Sequence, residues 1–159
     1  MKRSSGILLH ISSLPSPYGI GNLGAEARKF IDFLHDAGQQ WWQLLPISPT
    51  GYGDSPYQSA STFAGNPYFI DPEALLAQGL LTQEELSGDW GDPNYVDYGL
   101  LYNRRHALLR AAYGRADKTE PAFAEFCRTE AAWLDDYTLF MAIKQSQGNR
   151  PWPQWSEAL

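Results

Sequence analysis

The sequence predicts an α/β fold built on parallel strands, and three observations carry that prediction. Residues 5–11 (Ser-Gly-Ile-Leu-Leu-His-Ile) form a short apolar run of the kind buried on both faces of a parallel sheet. Residues 25–37 follow with helical periodicity. Residues 40–45 (Gln-Trp-Trp-Gln-Leu-Leu) then repeat the strand pattern and are closed by Pro46. Strand, helix and strand in this order imply a parallel pair joined by a right-handed crossover.

Composition bounds the answer. The chain has 159 residues, about the size of one domain. Its 43% apolar and 19% charged residues exclude a disordered polyelectrolyte. A formal charge of -6 argues against nucleic acid as a partner, because such binders carry a basic footprint. No apolar run approaches the roughly 18 residues of a membrane helix, so no membrane partner is expected. The apolar stretch after Lys2 and Arg3 stops at His10, short of the roughly 7–15 residues of a signal core. A single cysteine, Cys127, cannot form an internal disulfide, and a reducing, cytoplasmic location is the expectation. Six Trp and nine Tyr stand beside 11 Pro and 14 Gly. Aromatic rings on Gly/Pro-shaped loops suit carbohydrate, whose pyranose rings have an apolar face. An aromatic-rich core is the other reading.

The elements follow in order. Residues 12–24 form a loop punctuated by Pro15, Pro17, Gly19, Gly21 and Gly24. In the helix at 25–37, Ala27, Phe30, Ile31 and Leu34 recur at i, i+3, i+4 and i+7, and Gly38 stands at the C-terminal cap. Residues 46–72 lack regular periodicity, and loops this long are functional or disordered. Tyr52, Tyr57, Phe63, Tyr68 and Phe69 make this one too aromatic for disorder. Asp71 caps a helix that starts at Pro72 and ends at Gly79. Thr82 and Glu85 form a capping box, and residues 88–94 are rich in turns. Residues 98–114 read as a helix with Leu101, Leu108 and Ala112 on one face. Residues 121–146 read as one long or two consecutive helices, with Phe123, Phe126, Cys127, Leu134, Phe140 and Met141 as apolar positions. A loop with Trp152 and Trp155 follows. Ser156-Glu157 reads as the opening of a further helix, so the chain is expected to be part of a longer protein.

The chemistry begins with exclusions. The sequence has no zinc cluster, phosphate-binding Gly-Lys loop, nucleophile elbow or dinucleotide fingerprint, so no metal and no cofactor is expected. His35 reads as solvated on a helix surface, and His106 as structural. His10 ends the first strand, where ligands gather in parallel α/β folds. A hydrogen-bonded core histidine is the alternative there. The segment Gly51-Tyr-Gly-Asp-Ser-Pro-Tyr-Gln58 leaves the second strand at the same end. Asp54, Ser55 and Gln58 supply hydrogen-bonding groups, Tyr52 and Tyr57 supply flat faces, and Pro56 stiffens the loop. It reads equally as a sugar-binding loop or as an Ω-loop packed on its own aromatics.

Long motifs in a fixed order add to this reading. They are His10-Ile-Ser-Ser-Leu-Pro-Ser-Pro-Tyr-Gly-Ile-Gly-Asn-Leu-Gly24, Trp42-Gln-Leu-Leu-Pro46, the Gly51–Ser59 segment, Phe63-Ala-Gly-Asn-Pro-Tyr68 with Ile70-Asp71, and Val96-Asp-Tyr-Gly-Leu-Leu-Tyr102. Together they resemble the N-terminal part of the 4-α-glucanotransferase family, also called amylomaltases or disproportionating enzymes. The likeness runs from about Gly6 to Tyr102 and continues more weakly.

The resemblance implies an α-amylase-like (β/α)8 TIM barrel. Residues 1–72 would supply its first strands and a substrate loop, and residues 73–159 the start of a helical insertion. A TIM barrel takes about 250 residues, so it is not expected to close within this chain. The implied activity is transfer of α-1,4-glucan segments between maltodextrin chains by a retaining double displacement, without cofactor or metal. The family's catalytic carboxylates belong to later strands, so no catalytic residue is assigned here and the isolated chain is expected to be inactive. Tyr57 matches a tyrosine that stacks on the sugar beside the cleaved bond, and Ser55 a residue lining the same subsite. Tyr52 and Tyr102 match tyrosines that hold glucan at a second, remote site. Asp54 reads as a turn residue that holds the loop. Two other readings remain beside this one: a stand-alone glucan-binding module, and a structural α/β domain with no ligand.

Overall fold

In the computed structural model, which describes residues 3–156, the two strands pair in parallel as the sequence predicts. Strand β1 is Gly6–Leu8 and β2 is Trp41–Gln43, in the register Gly6↔Trp41, Ile7↔Trp42 and Leu8↔Gln43. Helix α1, Ala25–Asp36, makes the crossover. Beyond the strands, Gln40 N–H donates to the Ser5 carbonyl at 2.9 Å and Leu9 N–H to that of Gln43 at 3.1 Å.

Both strands are shorter than predicted, and the expectation of burial on both faces fails. Leu8 is 56% exposed and Trp41 65% exposed. Alternation sends Ile7 and Trp42 to one face, where the Phe30 ring of α1 meets the Trp42 indole edge-on at 5.0 Å. Burial on both faces requires a cover on both, and among the described residues these two strands form a two-stranded sheet.

Helix α1 buries Ala27 and Leu34 and half-buries Phe30, while Ile31 and Phe33 face outward. It stops where predicted. Gly38, at φ +67°, donates to the His35 carbonyl at 2.9 Å, and Gln39 to that of Leu34 at 2.8 Å. These two bonds satisfy carbonyls that the helix itself leaves open.

The loop at 12–24 is the centre of the core. Apart from one 3-10 turn at Ile11–Ser13 it has no regular structure, yet Ile11, Leu14, Tyr18 and Ile20 are all buried. Gly21 makes this compactness possible. A Cβ at that position would collide with the Ile11 carbonyl oxygen and lie 2.8 Å from the Leu14 nitrogen.

Three helices close over this loop. They are α2 (Pro72–Ala77), α3 (Gln83–Leu86) and α4 (Tyr98–Arg115). Their starts follow the sequence. Asp71 accepts from Glu73 N–H, the capping box of Thr82 and Glu85 is complete in both directions, and Asp97 accepts from Leu100 N–H. Leu81, Leu86, Trp90, Leu101, Leu108 and Ala112 join Ile11 and Tyr18 in one cluster. Arg115 fastens the end of α4 to the capping box, donating to both Glu85 carboxylate oxygens and to the Leu80 carbonyl at 2.8 Å.

Compactness divides the chain into two units, one running up to Ala116 and one from Asp117. The physical reason is that shared core, which draws α2 to α4 into the first unit.

The second unit holds one continuous helix, α5, Pro121–Ser146. It buries no residue; Phe123 and Phe126 are 46% and 47% exposed. Gly148, at φ +67°, ends it. Trp155 then packs on Phe140 with ring centroids 5.4 Å apart, and its indole N–H donates to the Arg150 carbonyl at 2.8 Å. The helix read as opening at Ser156-Glu157 would run into residues outside those described. No helix among the described residues is long and apolar enough to cross a membrane.

Candidate functional site

A cavity of about 160 Å3 opens at the carboxyl ends of β1 and β2. His10 follows β1, and Leu45 and Pro46 follow β2. The 3-10 turn adds Ser12 and Ser13, the long loop adds Thr50, Asp54, Pro56 and Asn66, and Phe69 and Tyr98 complete the wall. Parallel α/β architecture concentrates binding groups at this end of its strands, because consecutive loops converge there.

His10 is half-buried, and its ring stands edge-on to Phe69 at 5.3 Å. Its Nδ1 is buried and has no hydrogen-bond partner among the described residues. Burial holds the imidazole pKa below the ordinary value of 6.5, which favours the neutral ring.

The loop from 51 to 58 has a fixed base. Gly51 N–H donates to the Gln58 carbonyl at 3.0 Å, and Gln58 N–H returns to that of Ser55 at 3.1 Å. Asp54 sits in the left-handed region at φ +53° and accepts from the Thr50 hydroxyl at 3.2 Å. This is the loop-holding role read for Asp54 in the sequence. Asp and Asn tolerate that conformation better than most residues.

The predicted site residues lie as follows. Ser55 and Tyr57 are neighbours at the loop tip, and Tyr57 N–H donates to Ser55 Oγ at 3.3 Å. Tyr57 is 73% exposed and Tyr52 102% exposed. Neither Tyr57 nor Ser55 lines the cavity; their neighbours Asp54 and Pro56 do. Tyr102 rises from α4, 51% exposed, with its ring edge-on to His106 at 5.1 Å.

The structure adds Tyr98, which the sequence reading passed over, to Tyr102, which the motifs single out, and His106, read as structural. Tyr98, Tyr102 and His106 are four apart on α4 and form a stripe along one face. Tyr68 packs on both ends of it, 6.3 Å from Tyr98 and 5.9 Å from His106. Burial pushes the Tyr68 phenol up to about 12, with smaller contributions from Asp54 and Tyr102. The four-residue spacing was the available signal, but Leu101, Leu108 and Ala112 drew attention to the neighbouring core stripe. His106 has its pKa lowered by burial and then by Arg110. His35 is a surface residue, its side chain 87% exposed beside Asp36. Among the described residues, no group of three His, Cys, Asp or Glu is placed to hold a metal ion.

Comparison with known proteins places this geometry. A family model described as 4-alpha-glucanotransferase matches residues 9–159. A 4-alpha-glucanotransferase of Thermus thermophilus is 51% identical over 98% of this chain and 31% of its own length. One of Clostridium butyricum is 47% identical over 94% of this chain and 31% of its own length. Among solved structures, an amylomaltase from Streptococcus agalactiae in complex with acarbose superposes with a TM-score of 0.91. It is 38% identical over 98% of this chain and 32% of that one. The chain spans about a third of the length of the curated relatives it matches.

Proposed function

The chain belongs to the 4-alpha-glucanotransferase family, and from that premise we propose that it is the substrate-binding N-terminal portion of an enzyme that moves α-1,4-glucan segments between maltodextrin chains. The observation that carries this reading is the exposure of Tyr52 and Tyr57 on a loop whose base is tied by hydrogen bonds. An Ω-loop packed on its own aromatics would bury those rings. A fixed loop that holds them in solvent, at the carboxyl end of parallel strands, suits the stacking of sugar faces.

In this proposal β1, α1 and β2 begin a (β/α)8 barrel, and residues 73–159 begin a helical insertion. Tyr57 stacks on the sugar next to the bond that breaks, and Ser55 lines the same subsite. Tyr52 and Tyr102 hold glucan at a second site. A retaining transfer needs two carboxyl groups roughly 5–5.5 Å apart, one as nucleophile and one as acid and then base. We assign those carboxylates to the part of the family's length that this chain does not span. The aromatic wall at Tyr57 would favour a sugar acceptor over water when the glycosyl intermediate is resolved. The single Cys127 supports a reducing, cytoplasmic setting.

The test has two arms. Calorimetry of this chain with maltotriose and maltoheptaose should detect binding, and Tyr57→Ala should weaken it by about tenfold. Incubation with maltotriose should yield neither glucose nor longer maltodextrins. Unchanged affinity in Tyr57→Ala would remove Tyr57 from the site, and turnover by the chain would refute the placement of the carboxylates.

A further inference from the structure

We infer that His106 is a positioning residue for long glucans: its ring holds that of Tyr102 in place before sugar arrives, and so sets how much better a glucan that reaches Tyr102 binds than one that does not. This rests on the reading of Tyr102 as a glucan contact and adds to it the residue that prepares the contact.

The need for a support comes from exposure. Tyr102 is 51% exposed on α4. An exposed tyrosine samples several rotamers, not all of which present its face to a sugar. Fixing one such side chain during binding weakens affinity by roughly two- to tenfold, unless it is ordered beforehand. Helix geometry supplies the support four residues on. Side chains on a helix lean toward its N-terminus, so residue 106 is carried back over the turn that holds residue 102. The two rings meet edge-on, with centroids 5.1 Å apart and planes at 75°, inside the range that aromatic pairs prefer.

A support must itself be anchored. His106 is half-buried and also meets the buried ring of Tyr68, 5.9 Å away. The Tyr68 backbone is held on both sides. Its N–H donates to Asn66 Oδ1 at 3.0 Å, and its carbonyl accepts from Arg105 Nη2 at 3.2 Å. Leu23 N–H donates to the next carbonyl, that of Phe69, at 3.0 Å. A fixed turn thus carries Tyr68, Tyr68 packs on His106, and His106 packs on Tyr102. Burial, and after it the charge of Arg110, lowers the His106 pKa, so at neutral pH the imidazole meets Tyr102 as an uncharged ring. Tyr52, fully exposed on its loop, is the contrast.

The experiment uses this chain, titrated by calorimetry with maltotriose and with maltoheptaose. His106→Ala should weaken maltoheptaose binding about fivefold and maltotriose binding less. His106→Phe, which keeps a flat ring at the position, should return maltoheptaose affinity to within about twofold of wild type. In a Tyr102→Ala background, His106→Ala should add no further loss, because the ring it positions is gone. A histidine that serves packing alone predicts equal losses for both ligands, with or without Tyr102. That outcome, or unchanged maltoheptaose affinity in His106→Ala, would overturn the inference and leave the glucan reading standing. Failure of the wild-type chain to bind maltoheptaose would overturn both. If His106→Ala does not fold, ring 13C relaxation of the wild-type chain decides. Tyr102 should be ordered without glucan while Tyr52 is mobile, and equal mobility of the two rings would reject the role of His106.

Discussion

Arg105 donates from Nη2 to the carbonyl oxygen of Tyr68 at 3.2 Å while only 1% exposed, and no carboxylate among the described residues lies within ion-pair distance of it. A guanidinium in this position ties α4 to the Phe63–Tyr68 motif and lies 5.8 Å from the centroid of the Trp90 ring, but no paired carboxylate among the described residues offsets the loss of its hydration. Burial pushes its pKa down to about 10, against the pull of Asp71.

The charge of Arg105 is therefore expected to be dispensable and its volume not. Arg105→Met should leave stability within about 1 kcal/mol of wild type, or raise it, because a lone buried charge is costly to retain. Arg105→Ala should cost about 2–4 kcal/mol by opening a cavity. Urea melts decide between them. A loss above 2 kcal/mol in Arg105→Met would show that the bond to Tyr68 outweighs desolvation.

Glycines at 21 and 38 should respond differently to alanine. At Gly38 a Cβ meets nothing within 4 Å, so Gly38→Ala carries only the left-handed backbone cost of about 1–2 kcal/mol. At Gly21 the added carbon strikes backbone, and Gly21→Ala should cost about 3 kcal/mol or disrupt the loop. Equal losses in the two variants would mean that the loop at 12–24 is free to relax.

Acid should loosen the first unit through its histidines. His10 and His106 both have folded pKa values below the ordinary 6.5, so the unfolded chain binds their protons more readily. Their contribution to stability is present above pH 6.5 and is lost as pH falls from there toward the folded values. Stability measured in urea from pH 7.5 to 5 should fall, and the His10→Asn, His106→Asn double variant should show a shallower fall. An identical slope in that variant would assign the whole effect to carboxylates.

Removal of the Tyr52 ring should be silent for folding. It is fully exposed, so Tyr52→Ala should change stability by less than about 0.5 kcal/mol. If Tyr52 and Tyr102 hold glucan away from the loop tip, Tyr52→Ala and Tyr102→Ala should weaken binding of maltoheptaose and leave maltotriose nearly unaffected. Calorimetry that shows the opposite preference would place both tyrosines at the same subsite as Tyr57.

What the sequence reveals about this fold is mostly local. The caps at Asp71, the box at Thr82 and Glu85, the stop at Gly38 and the parallel pair were all legible, because each depends on residues within a few positions or on a simple order of elements. The long-range packing was not. Nothing local in residues 12–24 says that Leu14, Tyr18 and Ile20 are core, because their burial comes from α2 to α4. Nor does the strand pattern say that Leu8 and Trp41 lie exposed, since exposure depends on what else is present to cover them. At the candidate site, Tyr57, Ser55, Tyr52 and Tyr102 were read from motif likeness. The cavity at His10 required coordinates, for its lining is drawn from residues as far apart as 10 and 98.

The loop at 12–24 has a consequence for how the chain meets a protease. Its prolines and glycines give it the composition of a cleavable connector, yet a cut needs an extended stretch that can leave its surroundings and enter an active-site cleft. With Ile11, Leu14, Tyr18 and Ile20 anchored, this connector can do so only when the first unit opens as a whole. The rate of nicking there becomes a gauge of global opening, and the segment least ordered by its hydrogen-bond pattern should be among the last to be cut.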